Sequence, residues 1–157
     1  MSPTVSDAIP LLEALRERGA TLACAESLTG GLLCATLVAA PGASDVVRGA
    51  VVAYAVDLKA TLLGVDEQVL TRHGAVSEAT ARAMAMGVAA RLRATYGLAT
   101  TGVAGPDPSE GKPAGTVHVA VSGPGLDAHA ELCLTGDRQA VREQAVAAVV
   151  ALLGARL

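Results

Sequence analysis

The sequence predicts an α/β fold, a three-layer α/β/α sandwich around a mixed β-sheet. Two patterns carry that prediction: early in the chain short uncharged apolar runs alternate with helical stretches, and late in the chain two period-two runs flank Gly123-Pro124-Gly125. A third observation sets the scale. With 157 residues and 52% apolar composition the chain can build one substantial core and not two, so a single domain over residues 1–157 is expected.

Each element has its own warrant. Ile9, Leu12 and Leu15 recur at helical spacing within residues 7–18, with Ser6 or Asp7 as cap, Gly19 as stop and Pro10 tolerable only in the first turn. Residues 21–25 read as a short strand, and residues 32–40 as an apolar helix ended by Pro41-Gly42. Residues 46–55, rich in Val and Ala without alternation, suit a strand covered on both faces. Residues 57–63 and 66–73 form short helices parted by Gly64 and closed by Gly74. Ser77 then caps a longer helix whose Ala81, Met84, Ala85, Val88, Ala89 and Leu92 share a face.

Residues 98–103 are a buried strand leading into a Gly- and Pro-rich loop, residues 104–114, long enough to be functional. Val117, Val119 and Val121, and across the turn Leu126, Ala128, Ala130, Leu132 and Leu134, give a hairpin with one buried face. Asp137 caps a final helix that covers the sheet through Val141, Ala145, Ala148, Val149 and Leu152. Ligands on such sheets sit at the carboxyl ends of strands, where residues 26–31, 54–59 and 101–107 form polar or glycine-bearing loops.

Composition narrows the function classes. There are 12 basic and 15 acidic residues, a net charge of -3, no run of either sign and 1% aromatics, so neither nucleic acid nor an anionic membrane is an expected partner. Cys24, Cys34 and Cys133 lie in apolar patterns without disulfide or zinc spacing and read as small buried hydrophobes. His73, His118 and His129 share no metal-ligand spacing, and no metal or cofactor is expected. The amino terminus lacks the basic-then-apolar order of a signal peptide. The uncharged residues 27–44 are interrupted at both ends by Gly and Pro, which argues against a membrane span of about 18 residues. The cytoplasm is the default location, and the Ala- and Val-rich faces suggest a homodimer or higher homo-oligomer.

The segment Ala25-Glu26-Ser27-Leu28-Thr29-Gly30-Gly31 joins the first strand to the second helix. Free N–H groups at a helix start, approached through glycines and flanked by hydroxyls, suit a phosphate or oxyanion; a plain strand-to-helix turn capped by Thr29 has the same composition. Arg138 and Arg142, near the start of the last helix, suit a phosphate or a solvated face.

Taken with Pro41-Gly42-Ala43-Ser44, Tyr54 followed by Lys59, His73-Gly74-Ala75-Val76-Ser77, Thr101-Gly102-Val103-Ala104-Gly105-Pro106-Asp107, Lys112-Pro113-Ala114-Gly115-Thr116-Val117 and Gly136-Asp137-Arg138, that segment resembles the CinA carboxy-terminal domain family. The resemblance spans nearly the whole chain. It implies metal-free hydrolysis of the carboxamide of nicotinamide mononucleotide (NMN), a step of pyridine-nucleotide salvage, by a serine that a lysine activates. Carried onto this chain, it makes Ser44 the nucleophile and Lys59 its base, with Tyr54 and Ser27 completing the polar network. Glu26, Thr29, Gly30, Gly31, Thr101, Gly102, Arg138 and Arg142 would hold the nucleotide.

The chemistry asks for such residues in its own right, because a serine hydroxyl needs a base and a lysine serves only when burial lowers its pKa. Val56, Leu58 and Leu62 give Lys59 apolar neighbours in sequence. The family commonly has polar residues where Ala43, Ala55 and Val56 stand, and Cys where Leu28 stands. Two alternatives therefore stay open: a nucleotide-binding or sensor module without catalysis, and amide hydrolysis on another substrate.

Overall fold

The chain runs through α1 (Pro3–Glu17), β1 (Leu22–Glu26), α2 (Leu32–Val38), one 3₁₀ turn (Ala43–Asp45), β2 (Val47–Val52), α3 (Val56–Leu63), α4 (Glu67–His73) and α5 (Glu78–Leu92). Then follow β3 (Tyr96–Gly102), β4 (Thr116–Gly123), β5 (Leu126–Cys133) and α6 (Arg138–Gly154). The computed structural model describes residues 3–157. The five strands form one sheet in the order β2-β1-β3-β4-β5; β1 is parallel to β2 and β3, and β4 and β5 are antiparallel additions. The expected mixed sheet with a helical layer on either side is what forms.

The two faces of the sheet are built from different residue sizes. Leu22, Cys24, Leu98, Val117, Val119 and Val121 join the cluster under α1, α2 and α6, whereas Ala23, Ala25, Ala99 and Ala120 face α5. Alternate residues of a strand point to opposite faces, so this division is written into the sequence at period two. The alanine face lets α5 lie close: a Cβ on Gly97 would come within 2.0 Å of the Ala85 carbonyl oxygen. Ser77 caps α5 as expected, its hydroxyl accepting from Thr80 N at 3.1 Å, and Asp137 caps α6 by accepting from Ala140 N at 2.9 Å.

Several local expectations are corrected. Helix α1 starts at Pro3, ahead of Ser6 and Asp7, so Pro10 lies in its interior and leaves the Ser6 carbonyl without a helical donor. Both residues are exposed, so that carbonyl lies on the solvent side of the helix. Strand β2 is not covered on both faces: it is an edge strand, and Val52 is exposed. Its register shifts opposite Leu22 and Ala23, and Arg48 donates from Nε to the Leu92 carbonyl at 2.6 Å, both of which blunt that edge against further pairing. Strand β4 is buried on both faces because α5 covers His118 and Ala120. Of the cysteines Cys24 is buried, Cys34 is half-buried and Cys133 is exposed.

Candidate active site

The carboxyl ends of β1, β2 and β3 lie side by side, with Glu26 in register with Val52 on one flank and Thr100 on the other. The chain leaves β1 for β2 on one side and returns to β3 on the other. A crevice therefore opens at this switch point. The three polar loops converge there on a cleft of about 390 Å³, lined among others by Ser27, Tyr54, Lys59, Thr101, Glu110 and Arg138.

Lys59 is the largest fully buried side chain of the described residues, at 1% exposure. The first turns of α3 carry it from the rim down beneath the β2 end. Its Nζ lies 2.9 Å from Ser27 Oγ, 2.7 Å from the Ala53 carbonyl oxygen and 3.3 Å from that of Tyr54. Burial lowers its pKa from 10.5 to about 8, and the Glu110 carboxylate opposes that shift only in part. A neutral amine has two N–H donors and one lone pair. Two carbonyls accept the donors, so the lone pair is left for the Ser27 hydroxyl proton, which is the arrangement of a general base and its nucleophile.

Glu26 has a different task from the one expected. It is fully buried and turned away from the cleft; Oε1 accepts from Gly31 N at 3.1 Å and Leu33 N at 2.9 Å, and Oε2 from Cys34 N at 3.0 Å. The anion at the start of α2 is thus the protein's own carboxylate, satisfying N–H groups that a ligand would otherwise meet. Gly30 (φ +57°) and Gly31 (φ +104°) supply the left-handed backbone that turns the chain back over Glu26. Thr29 is buried and its hydroxyl pairs with that of Thr100 at 2.8 Å. Neither glycine nor Thr29 lines the cleft. Arg142 binds the protein as well, donating to the carbonyls of Leu28 at 3.0 Å and Thr29 at 2.9 Å.

Thr101, Gly102 and Arg138 do line the cleft. Thr101 Oγ1 donates to the Ala75 carbonyl at 2.7 Å, fixing the strand end to the α4–α5 connection. Gly102 packs so tightly on β4 that a Cβ would fall 2.7 Å from the Thr116 carbonyl oxygen. Arg138 donates to the Gly105 carbonyl at 2.6 Å and to the Tyr54 hydroxyl at 3.0 Å, while the Tyr54 ring is exposed on the rim.

Ser44, the expected nucleophile, is a correction. It sits in the 3₁₀ turn before β2, in a separate depression with Val38, Gly42, Ala43 and Val47. Strand β2 then runs parallel to β1 from Val47 to Val52, so about 16 Å of strand separates the Ser44 end of the sheet from the Lys59 end. The serine that the fold brings to Lys59 is Ser27.

Sequence reasoning missed Glu110. Its carboxylate accepts from Ala75 N at 2.9 Å and Val76 N at 3.1 Å, and Lys112 lies 3.5 Å from it while donating to the Val76 carbonyl. Burial pushes its pKa up, but the Val76 and Ala75 N–H groups and Lys112 outweigh that and hold it below the ordinary value. The only signal in the sequence was the length of its loop. His118 and His129 also pair, Nδ1 of the first lying 2.9 Å from Nε2 of the second, away from the cleft lining.

Fold and site together define an α/β domain with a buried serine–lysine pair at the switch point of a mixed sheet. The model of the CinA C-terminal domain matches residues 7–157, and the chain belongs to that family. It is 53% identical over 143 residues to a CinA-like protein of Frankia casuarinae, covering 91% of this chain and 33% of that protein. To a putative competence-damage inducible protein of Geobacillus kaustophilus it is 51% identical over 132 residues, 83% of this chain and 32% of that one. The chain thus spans about a third of the length of these curated relatives.

Solved structures are similar over the full domain. A CinA superfamily protein from Klebsiella pneumoniae superposes with a TM-score of 0.95 at 36% identity, covering 99% of this chain and 98% of that one. A competence/damage inducible protein from Agrobacterium tumefaciens gives 0.94 at 35% identity, covering 99% and 96%. Among the described residues no helix is long and apolar enough to cross a membrane.

Proposed function

We propose that this domain is an amidohydrolase that converts the carboxamide of NMN to the carboxylate, releasing ammonia, with Ser27 as nucleophile and Lys59 as base. The observation that carries the reading is the buried Lys59 Nζ, 2.9 Å from the Ser27 hydroxyl at an open cleft, with its pKa lowered to about 8. Ser27 Oγ attacks the amide carbon and its proton passes to Lys59 Nζ. The tetrahedral adduct collapses as Lys59 returns the proton to the departing nitrogen, which leaves as ammonia. Water, deprotonated by the same amine, then cleaves the acyl–Ser27 ester to the acid and restores the hydroxyl.

Arg138, beside Tyr54 on the cleft rim, is the cation available to a nucleotide phosphate. The restriction to NMN comes from the family resemblance, whereas the serine–lysine geometry asks only for an activated acyl carbon. The test is ammonia release from NMN by the purified chain, beside nicotinamide and simple amides. Ser27→Ala is expected to lower it at least 10⁴-fold, and Ser44→Ala to leave it intact (on the order of magnitude seen for serine nucleophiles). Binding of NMN without ammonia release would replace this reading by the binding module. Release from other amides alone would keep the mechanism and change the substrate.

A further inference from the structure

The loop between β3 and β4 forms one wall of the cleft and presents two acids there, Asp107 and Glu110. Glu110 is set into that wall, its side chain 29% exposed, and the backbone is shaped around its carboxylate. Gly74, at φ +79°, leaves the space for it: a Cβ at Gly74 would stand 2.5 Å from Glu110 Oε2. The N–H groups of Ala75 and Val76 hold one oxygen each, and Lys112 stands behind, 3.5 Å away and outside the cleft lining. Glu110 itself has φ +53° and is, with Arg93, one of two non-glycine residues of positive φ among the described residues. A left-handed backbone is strained for any residue with a Cβ, and such strain gathers where a side chain has to meet a ligand.

A nicotinamide ring in this cleft has little besides its charge to be held by. The chain has two tyrosines and no Phe or Trp, and of the two only Tyr54 lines the cleft, with its ring exposed on the rim. A ring whose carboxamide reaches Ser27 and Lys59 therefore meets no aromatic face in the depth of the site. N-ribosylation, however, makes that ring a pyridinium cation, and its charged nitrogen stands meta to the carboxamide. Seating the carboxamide at Ser27 seats the cation close by. The field of Glu110 already reaches that part of the cleft, since it is the charge that opposes the lowering of the Lys59 pKa.

We infer that Glu110 is the specificity-determining residue for the ring: its carboxylate is the counter-charge of the pyridinium, and the cleft takes N-alkylated, cationic carboxamides in preference to neutral ones. The inference deepens the proposed amidohydrolase reading and rests on it. The cleft then offers one cation, Arg138, and one anion, Glu110, to a ligand that carries a phosphate and a pyridinium. A cation bound against Glu110 also offsets its pull on the Lys59 proton, which favours the neutral amine that deprotonates Ser27. Neutral carboxamides supply neither effect.

The test compares NMN with benzamide riboside 5′-phosphate, which has the same carboxamide, ribose and phosphate on an uncharged carbocyclic ring. Arg138 acts alike on both phosphates, so the ratio of the two dissociation constants isolates the ring charge. Binding is read by calorimetry in Ser27→Ala, in which NMN is not consumed. NMN is expected to bind about fivefold more tightly than the neutral analogue, the scale of one partly exposed charge pair. Adding Glu110→Gln, which keeps the length of the side chain and one acceptor for the Ala75 and Val76 N–H groups, is expected to abolish the difference by weakening NMN alone. Adding Lys112→Met instead, which removes the charge behind Glu110, is expected to widen the ratio by about twofold.

Parallel loss of both ligands in Glu110→Gln would make Glu110 a latch for the loop and overturn the inference. Equal binding of the two ligands with Glu110 in place would overturn it as well, and ammonia release from NMN by the wild-type chain would then leave the amidohydrolase reading standing. Binding of neither ligand, with no ammonia release, would end both. If Glu110→Gln fails to fold, Lys112→Met decides alone: a ratio that stays or falls there would overturn the inference.

Discussion

Glu26 and Lys59 are buried ionisable side chains at neighbouring strand ends, and they do opposite things with their burial. Glu26 receives three backbone N–H groups at the start of α2, where the helix dipole adds to the stabilisation, so its charge is matched and its chemistry is closed. Lys59 is given two carbonyls and a hydroxyl, without a carboxylate in its hydrogen-bonding shell. Its charge is incompletely matched, and the proton is correspondingly loose. Burial alone does not make a group reactive; the number and kind of partners decides.

The sharpest way to break this contrast is Lys59→Met, which keeps the length of the side chain and removes the amine. Ammonia release should fall about 10³-fold or more, the scale of a general base, with circular dichroism unchanged. Full activity in that variant would end the serine–lysine mechanism. Glu26→Ala should act on the other side of the contrast. Stranding the α2 amides is expected to cost about 3 kcal/mol or more in urea denaturation, with most activity per folded molecule retained. A Glu26 variant of undiminished stability but lost turnover would move Glu26 into the reacting site.

Linkage gives a finer measure. Folded Lys59, with a pKa near 8, holds its proton less tightly than the unfolded chain at 10.5. Below pH 8 both states are protonated and the fold bears the full penalty of the buried charge. Between about 8 and about 10.5 only the unfolded state keeps the proton, so stability rises with pH, and above that window the gain is complete. Wild type should therefore gain up to about 3 kcal/mol across the window relative to Lys59→Met, read from paired denaturation curves. Parallel curves would show that Lys59 keeps an ordinary affinity for its proton. The smallest effect is expected for Tyr54→Phe, which loses only the bond to Arg138: a rise of about three- to fivefold in KM, near 1 kcal/mol, with kcat preserved.

Local pattern was legible wherever period decided it. The Ser77 and Asp137 caps, the alternation of Val117, Val119 and Val121, and the α5 face were readable because neighbours in sequence create them. Long-range placement was not. Ser44 precedes Lys59 closely in sequence, but an intervening parallel strand carries the chain from one end of the sheet to the other, and a strand's span leaves no mark on the identity of the serine before it. Glu26 was misassigned because a glycine-bearing helix start reads the same whether its anion is a ligand or an internal carboxylate. Pro10 misled for a related reason: its fit depends on which side of α1 meets water.

The filling of the α2 terminus by Glu26 has an evolutionary consequence. A phosphate grip made of main-chain amides survives almost any point substitution, because every residue type supplies the same N–H. Here that grip is already occupied, and under the proposed reading recognition of a charged tail falls to replaceable side chains on the cleft rim, Arg138 foremost. Under the proposed reading, a single codon change can alter which tail is accepted without touching Ser27 or Lys59. On that reading, substrate range can drift quickly while the reaction itself stays put.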